Sequence, residues 1–186
     1  MWSIFTVSHS SLACEDQLDF ICEVRDNSVI IFHRTLMNIT SPAFEHNGSI
    51  PSKYTCDGAN ISPPLVFSDV PEGAKGLALH MDDPDVPKSI RPDGMWDHWV
   101  VFNIDPATTE IPEGQNPAGT LGVNTGGNTA YGGPCPPDRE HRYFFKLYAL
   151  DTELTLSTGA TKAQVEQAMQ GHIIDQAELM GRYNRT

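Results

Sequence analysis

Two short apolar runs, residues 76–81 and 99–104, constrain this chain most, because each meets ionisable groups at one end. The first leads into His80-Met81-Asp82-Asp83-Pro84-Asp85-Val86-Pro87. The second is entered through Trp96-Asp97-His98-Trp99. Both have the length of a strand and are rich in β-branched or aliphatic residues, as buried strands are. The second is apolar on both faces of a pleat, which predicts a central strand. Acids and a histidine at the ends of buried strands place reactive side chains on a rigid scaffold.

Turn residues divide the rest of the chain into short pieces. Ser41-Pro42, Asn47-Gly48, Ile50-Pro51, Asp57-Gly58 and Pro63-Pro64 punctuate residues 38–69. Leu65-Val66-Phe67 is a short strand among them. Residues 105–133 carry Pro106, Pro112, Pro117 and seven glycines, and loops of that length are usually functional or mobile. Residues 141–150 alternate and are rich in aromatics, which predicts a strong strand. Thr161-Lys162-Ala163-Gln164 is a capping-box signature, opening a helix that buries Val165, Ala168 and Met169 and stops at Gly171. Residues 173–183 fit a strand through Ile173, Ala177, Leu179 and Tyr183, or a helix through Ile173, Ala177 and Met180.

The 186 residues suffice for one domain with a proper core. A net charge of −12 argues against nucleic acid and anionic membranes as bulk partners. It leaves room for one small anionic ligand in a local pocket. No apolar run approaches the ~20 residues of a membrane helix, so stable membrane insertion is not expected.

Four cysteines, Cys14, Cys22, Cys56 and Cys135, form no Cys-x-x-Cys pair. Their scatter fits reduced thiols in a cytosol, whereas an exported protein could pair some of them. Residues 1–36 hold two basic and five acidic residues and lack the basic start and apolar core of a secretory signal. A cytoplasmic location is therefore expected, with the periplasm as the alternative if the true N-terminus differs. Residues 18–25 and 28–33 read as two strands around Asp26-Asn27, a fair hairpin turn. Residues 1–36 are expected to be an extension of unknown role, and residues 37–186 the working domain.

Several chemistries are disfavoured by spacing. A calcium loop starting at Asp83 would need glycine at Lys88 and glutamate at Gly94. A metal set of His80, Asp83, Asp85 and His98 lacks helical ligand spacing, so no metal and no cofactor are expected. No serine or threonine lies beside His98 or His141, and Pro134-Cys135-Pro136-Pro137 lacks the second cysteine of a deaminase. No catalytic residue is assigned.

The pattern fits an anion cradle better. His98 and His141 each stand at the start of an apolar strand, and two such strands side by side would bring both imidazoles to one sheet edge. Gly132-Gly133-Pro134 allows close approach to a ligand with an amide free to donate. Tyr143 adds a hydroxyl. An aspartate buried among these groups could sit protonated and donate to a phosphate oxygen.

The residues Asp83-Pro84-Asp85-Val86-Pro87, Trp96-Asp97-His98-Trp99-Val100-Val101-Phe102-Asn103 and Gly133-Pro134 leading to His141-Arg142-Tyr143 resemble the two signature regions of the phosphatidylethanolamine-binding protein family. The chain looks most like its bacterial and archaeal branch, labelled Raf-kinase-inhibitor-like. Ser41-Pro42-Ala43-Phe44, Tyr54-Thr55-Cys56-Asp57-Gly58 and Asn60-Ile61-Ser62-Pro63-Pro64-Leu65 share the resemblance, which runs from about residue 37 to 183.

The resemblance implies a mostly β fold, a sandwich around a large antiparallel sheet with a helix near the C-terminus, and a strand at 173–183. It implies a small pocket accepting phosphate, acetate or a phospholipid headgroup. Asp83, His98, Gly133, His141 and Tyr143 match the family's pocket positions, with Asp85 and Pro134 shaping it. Cys135 stands where eukaryotic members have a second proline. Bacterial relatives suggest a homodimer. Kinase inhibition belongs to animal members, and this sequence supports no kinase partner. The expected function is a non-enzymatic protein that binds a small anionic ligand. The alternatives are a regulatory protein reading a phosphorylated partner, and a hydrolase using the Asp-His cluster.

Overall fold

The computed structural model describes residues 35–185 throughout and, before them, only backbone strands at 6–7, 20–25 and 28–33. The chain divides into two compact units, Met1–Leu36 and Met37–Thr186. In the first, β1 (Thr6–Val7) pairs antiparallel with β3 (Ser28–His33), and β3 pairs antiparallel with β2 (Phe20–Arg25). The turn expected at Asp26-Asn27 between β2 and β3 lies outside the described residues.

The second unit is a β-sandwich. Its small sheet has the order β4 (Asn38–Thr40), β6 (Leu65–Ser68), β9 (Glu110–Ile111). Its six-stranded sheet runs β10 (Thr120–Leu121), β8 (Trp96–Ile104), β7 (Gly76–Asp83), β11 (His141–Leu150), β12 (Ile173–Tyr183), β5 (Gly48–Ser49). Neighbours are antiparallel except β12 and β5, which pair in parallel. The sheet is therefore mixed at one edge, not antiparallel throughout.

Every residue of β7 is buried, because the large sheet is covered on both sides. Leu77, Leu79 and Met81 join Trp99, Val101, Tyr143, Phe145 and Leu147 in a core shared with Ile39, Leu65, Phe67 and Ile111 of the small sheet. Ala78, Val100 and Phe102 face the other way, against Val165 and Met169 of α1 (Lys162–Met169). Full burial of each large apolar side chain contributes about 1.5–3 kcal/mol. The two-sided cover explains why the apolar runs do not alternate with polar residues.

Asn103 interrupts the alternation of β8. Its φ is 54°, and the β7–β8 register shifts between Leu77 and Leu79. The resulting bulge returns Ile104 to the same core as Trp99 and Val101. Asparagine tolerates this conformation, and its amide is held at both ends by the backbone of Leu154. Nδ2 donates to Leu154 O at 2.8 Å, and Leu154 N donates to Oδ1 at 2.8 Å.

The capping box forms as the sequence predicts. Thr161 Oγ1 accepts from the amide of Gln164 at 3.3 Å, and Gln164 Oε1 accepts from the amide of Thr161 at 2.9 Å. The ambiguous segment is the strand β12, paired with β11 at ten positions. A helix there would leave one side of β11 without backbone partners, a cost larger than either periodicity. Asp82 and Asp97 lie opposite each other across β7 and β8, an unfavourable pairing of like charges. Lys162, the first residue of α1, offsets it, with Nζ 2.9 Å from Asp82 and 3.5 Å from Asp97. Among the described residues, no helix is long and apolar enough to cross a membrane.

Candidate functional site

Sheet topology assembles the site. β7 lies between β8 and β11 and runs antiparallel to both, so its C-terminal end meets their N-terminal ends. Asp83, His98, His141 and Tyr143 are thereby brought together from three strands. His80 and Asp82 alternate onto the α1 side of β7. The histidine weighed as a metal ligand with Asp83 and His98 is thus on the wrong face for that set. Among the described residues, no three His, Cys, Asp or Glu side chains are placed to hold a metal ion.

A cavity of about 360 Å³ opens at this end of the sheet. Asp83 and His98 contribute its polar floor. Asn124, Gly132, Gly133 and Cys135 contribute one wall, and Val86, Ile90, Trp96 and Pro137 are apolar lining. The volume suits a headgroup or small metabolite.

His98 is 6% exposed. Its Nδ1 lies 2.6 Å from the carbonyl oxygen of Gly132. A carbonyl only accepts, so Nδ1 carries the proton. Nε2 is buried and has no partner among the described residues. Burial pushes the pKa of His98 down, against the Gly132 hydrogen bond and the Asp82 and Asp83 charges, which raise it. The ring is therefore neutral near pH 7, with the Nε2 lone pair as its open group.

His141 is fully buried between two carboxylates. Nδ1 is 2.7 Å from Asp83 Oδ2, and Nε2 is 2.9 Å from Asp138 Oδ1. A carboxylate at each ring nitrogen holds the imidazole at both ends. The hydrogen bond from His141 is the largest of the effects that hold Asp138 below the usual carboxylate range. His141 is thus a buried tie within the floor, and it is not among the cavity-lining residues.

Asp83 Oδ1 accepts from the amide of Asp85 at 2.8 Å, and Oδ2 faces His141 Nδ1. Asp85 turns from the cavity to Arg142, accepting from its amide at 3.0 Å and from Nε and Nη2 at 2.8 Å each. The Arg142 hydrogen bond is the main cause of its depressed pKa. Arg139 Nη1 donates to Asp138 at 2.8 Å and Nη2 donates to the carbonyl of Asp85 at 3.1 Å. Asp85 and Asp138 are thus met by Arg142 and Arg139 at the rim, and among the described residues no lysine or arginine lines the cavity.

Tyr143 lies under both histidines, edge-on to His98 at 5.3 Å and stacked on His141 at 6.4 Å between ring centroids. Its hydroxyl lies beside Asp83 without a well-formed hydrogen bond. Burial, then the Asp83 charge, pushes its pKa up, so it stays a donor.

Gly133 requires a correction. Its amide, expected to be free for a ligand, donates to Asn60 Oδ1 at 2.7 Å. Glycine is needed for a different reason: a Cβ would lie 2.4 Å from the Tyr54 carbonyl oxygen and 2.9 Å from Thr55 Cα. The loop at 54–60 is pressed against this wall. Tyr131 Oη donates to Tyr54 O at 2.8 Å, and Cys56 N donates to Pro134 O at 3.1 Å. A disulfide between Cys56 and Cys135, with Cα atoms 5.4 Å apart, closes the seam. Pro134 itself is buried behind the wall.

Sequence reasoning missed Asn60, Asp138 and Asn124. Asn124 donates to Ala130 O at 2.9 Å and accepts from Asn128 N at 2.9 Å, shaping the glycine-rich wall. Asp138 and Asn124 are polar loop residues outside any motif, and Asn60, though it opens the Asn60-Ile61-Ser62-Pro63-Pro64-Leu65 motif, shows its partner in the wall only in three dimensions.

A family model described as phosphatidylethanolamine-binding protein matches residues 40–184. A UPF0098 protein of Chlamydia pneumoniae is 53% identical over 150 residues, covering 81% of this chain and all (100%) of the relative. A UPF0098 protein of Methanothermobacter thermautotrophicus is 51% identical, covering 80% of this chain and 99% of the relative. Two solved structures are similar. The phosphatidylethanolamine-binding protein homologue CT736 of Chlamydia trachomatis has a TM-score of 0.79 and 51% identity, over 81% of this chain and 99% of the other. YbcL of E. coli, described as a member of the mammalian PEBP family, has a TM-score of 0.74 and 30% identity, over 82% and 100%.

Proposed function

The chain belongs to the phosphatidylethanolamine-binding protein family, and from that premise we propose that it binds, without transforming, a small ligand bearing a phosphate-like oxyanion. The observation that carries this reading is a buried polar atom at the cavity floor, His98 Nε2. It has no hydrogen-bond partner among the described residues. Buried polar groups in folded proteins almost always find partners. One left open at a cavity favours a polar ligand group as the missing partner.

The lining supports binding over catalysis. Among the described residues it contains no serine, threonine or lysine, and its cysteine is tied up in a disulfide. The cavity holds a headgroup-sized molecule rather than acyl chains. The Cys56–Cys135 disulfide favours an oxidising compartment such as the periplasm over the expected cytoplasm.

Calorimetric titration of the full chain with O-phosphoethanolamine tests the reading. A single saturable site is expected, lost in His98→Ala. Heat that does not saturate, or equal affinity in the variant, would overturn it.

A further inference from the structure

We propose that Lys162 is a positioning residue for the cavity: it clamps Asp82 to Asp97 behind the floor and thereby holds the bulge that turns His98 toward the ligand. This inference rests on the binding reading above and names a residue outside the cavity on which that site depends.

The ladder between β7 and β8 shows why a clamp is needed. Met81 faces Trp99, and the next residue of β7, Asp82, faces Asp97. His98 is the extra residue between them, which makes a β-bulge. In an unbroken ladder His98 would stand opposite Asp82 and point with it to the α1 side. The bulge puts Asp97 in that place. His98 is left to lie against Tyr143 and to line the cavity with Asp83.

The same bulge sets two carboxylates face to face. Asp82 is buried and Asp97 partly so, and water screens their repulsion poorly there. Lys146 Nζ meets Asp82 at 3.1 Å. Among the described residues only Lys162 spans both acids, with Nζ 2.9 Å from Asp82 Oδ2 and 3.5 Å from Asp97 Oδ1. Its side chain is 11% exposed, and Glu166 lies 3.4 Å from the same Nζ.

The place of Lys162 in the helix is unusual. Thr161 and Gln164 close the capping box, which fixes Lys162 as the first helical residue. A cation at that position opposes the helix dipole. Residues that break a local rule are commonly held by another requirement, and here it is the carboxylate pair. Gly132 holds His98 from the loop side, its amide donating to His98 O at 3.0 Å and its carbonyl accepting from Nδ1 at 2.6 Å. The clamp holds, from the sheet side, the strand end that carries the ring. Without Lys162 the two acids move apart or one takes up a proton, and either change disturbs the residue beside Asp97.

The test compares the full chain with Lys162→Met and Lys162→Arg. Affinity for O-phosphoethanolamine is read by calorimetry, and the His98 ring nitrogens are read by NMR without ligand. Lys162→Met is expected to bind about 10-fold more weakly and to shift the ring nitrogens. Lys162→Arg, which keeps a cation able to span both acids, is expected to restore both. Where Lys162→Met does not fold, the double variant Asp82→Asn with Lys162→Met replaces it. That variant keeps the net charge of the three side chains and removes the facing acids, and the same weakening is expected. Wild-type affinity with unmoved His98 nitrogens, in either variant and whatever its stability, overturns the inference and leaves the binding reading intact. A wild-type chain that does not bind O-phosphoethanolamine overturns the binding reading instead, and the His98 nitrogens then decide the role of Lys162.

Discussion

His141 Nδ1 and Asp83 Oδ2 share a hydrogen bond across 2.7 Å, joining neighbouring strands under the cavity. Both side chains are almost fully buried, at 0% and 4% exposure. Removing one partner of a buried hydrogen bond leaves the other unsatisfied, which costs about 1–3 kcal/mol and more for a charged group. Asp83→Ala is therefore expected to lose about 3 kcal/mol in urea denaturation. A midpoint within error of the wild type would show that the pair does not hold the floor.

Acid should destabilise the fold through two histidines. Burial pushes His80 down to about 3 and also lowers His98. The unfolded chain binds these protons near the ordinary pKa of 6.5, and the folded chain does not. Their stabilising contribution is thus full above 6.5 and declines as pH falls toward the folded values. Each histidine costs at most about 1.4 kcal/mol per pH unit in that window. Thermal denaturation between pH 7 and pH 5 should show the decline, and His80→Gln should flatten it. A slope identical to wild type in that variant would contradict the assignment.

Gly133→Ala should disturb the wall rather than merely stiffen a loop. Its Cβ would meet the Tyr54 carbonyl at 2.4 Å and the backbone of Thr55 at 2.9 Å, neither of which can rotate away. Overpacking of this kind costs about 1–3 kcal/mol. The Gly133 to Asn60 hydrogen bond should be lost as well, visible as faster amide exchange at Gly133's position. A stable variant with that amide still protected would count against the close approach described.

Reduction should loosen the same wall. The disulfide spans 79 residues, and a closed loop of that size typically stabilises by about 2–4 kcal/mol. Cys135→Ser should lower stability by that amount. The wild type under non-reducing digestion should yield a linked peptide pair containing Cys56 and Cys135. Recovery of both as free thiols would exclude the bond.

These residues also show where a single sequence is informative. Alternation and aromatic content identify β11, and Thr161 with Gln164 identifies the helix start, because both signals are local. Residues 173–183 are ambiguous because their apolar spacing satisfies two periods, and only pairing with β11 decides between them. β7 and β8 extend past their apolar runs, since Asp82, Asp83, Trp96, Asp97 and His98 continue the ladder despite their polarity. Asp83, His98, His141 and Tyr143 are drawn together by strand order, as their places at strand ends suggest. Their hydrogen-bond partners are not legible: Asn60 and Asp138 sit in loops, and Cys56 meets Cys135 from 79 residues away. The same blindness made Gly133 look like a free donor.

The most direct measurement is nitrogen-detected NMR of the histidine rings of the full chain at pH 6, with and without saturating inorganic phosphate. The account predicts a proton on His98 Nδ1, facing the Gly132 carbonyl, and a saturable shift of His98 Nε2 as phosphate binds. A His98 Nε2 resonance unmoved at saturating phosphate would contradict the claim that this atom is where the ligand docks.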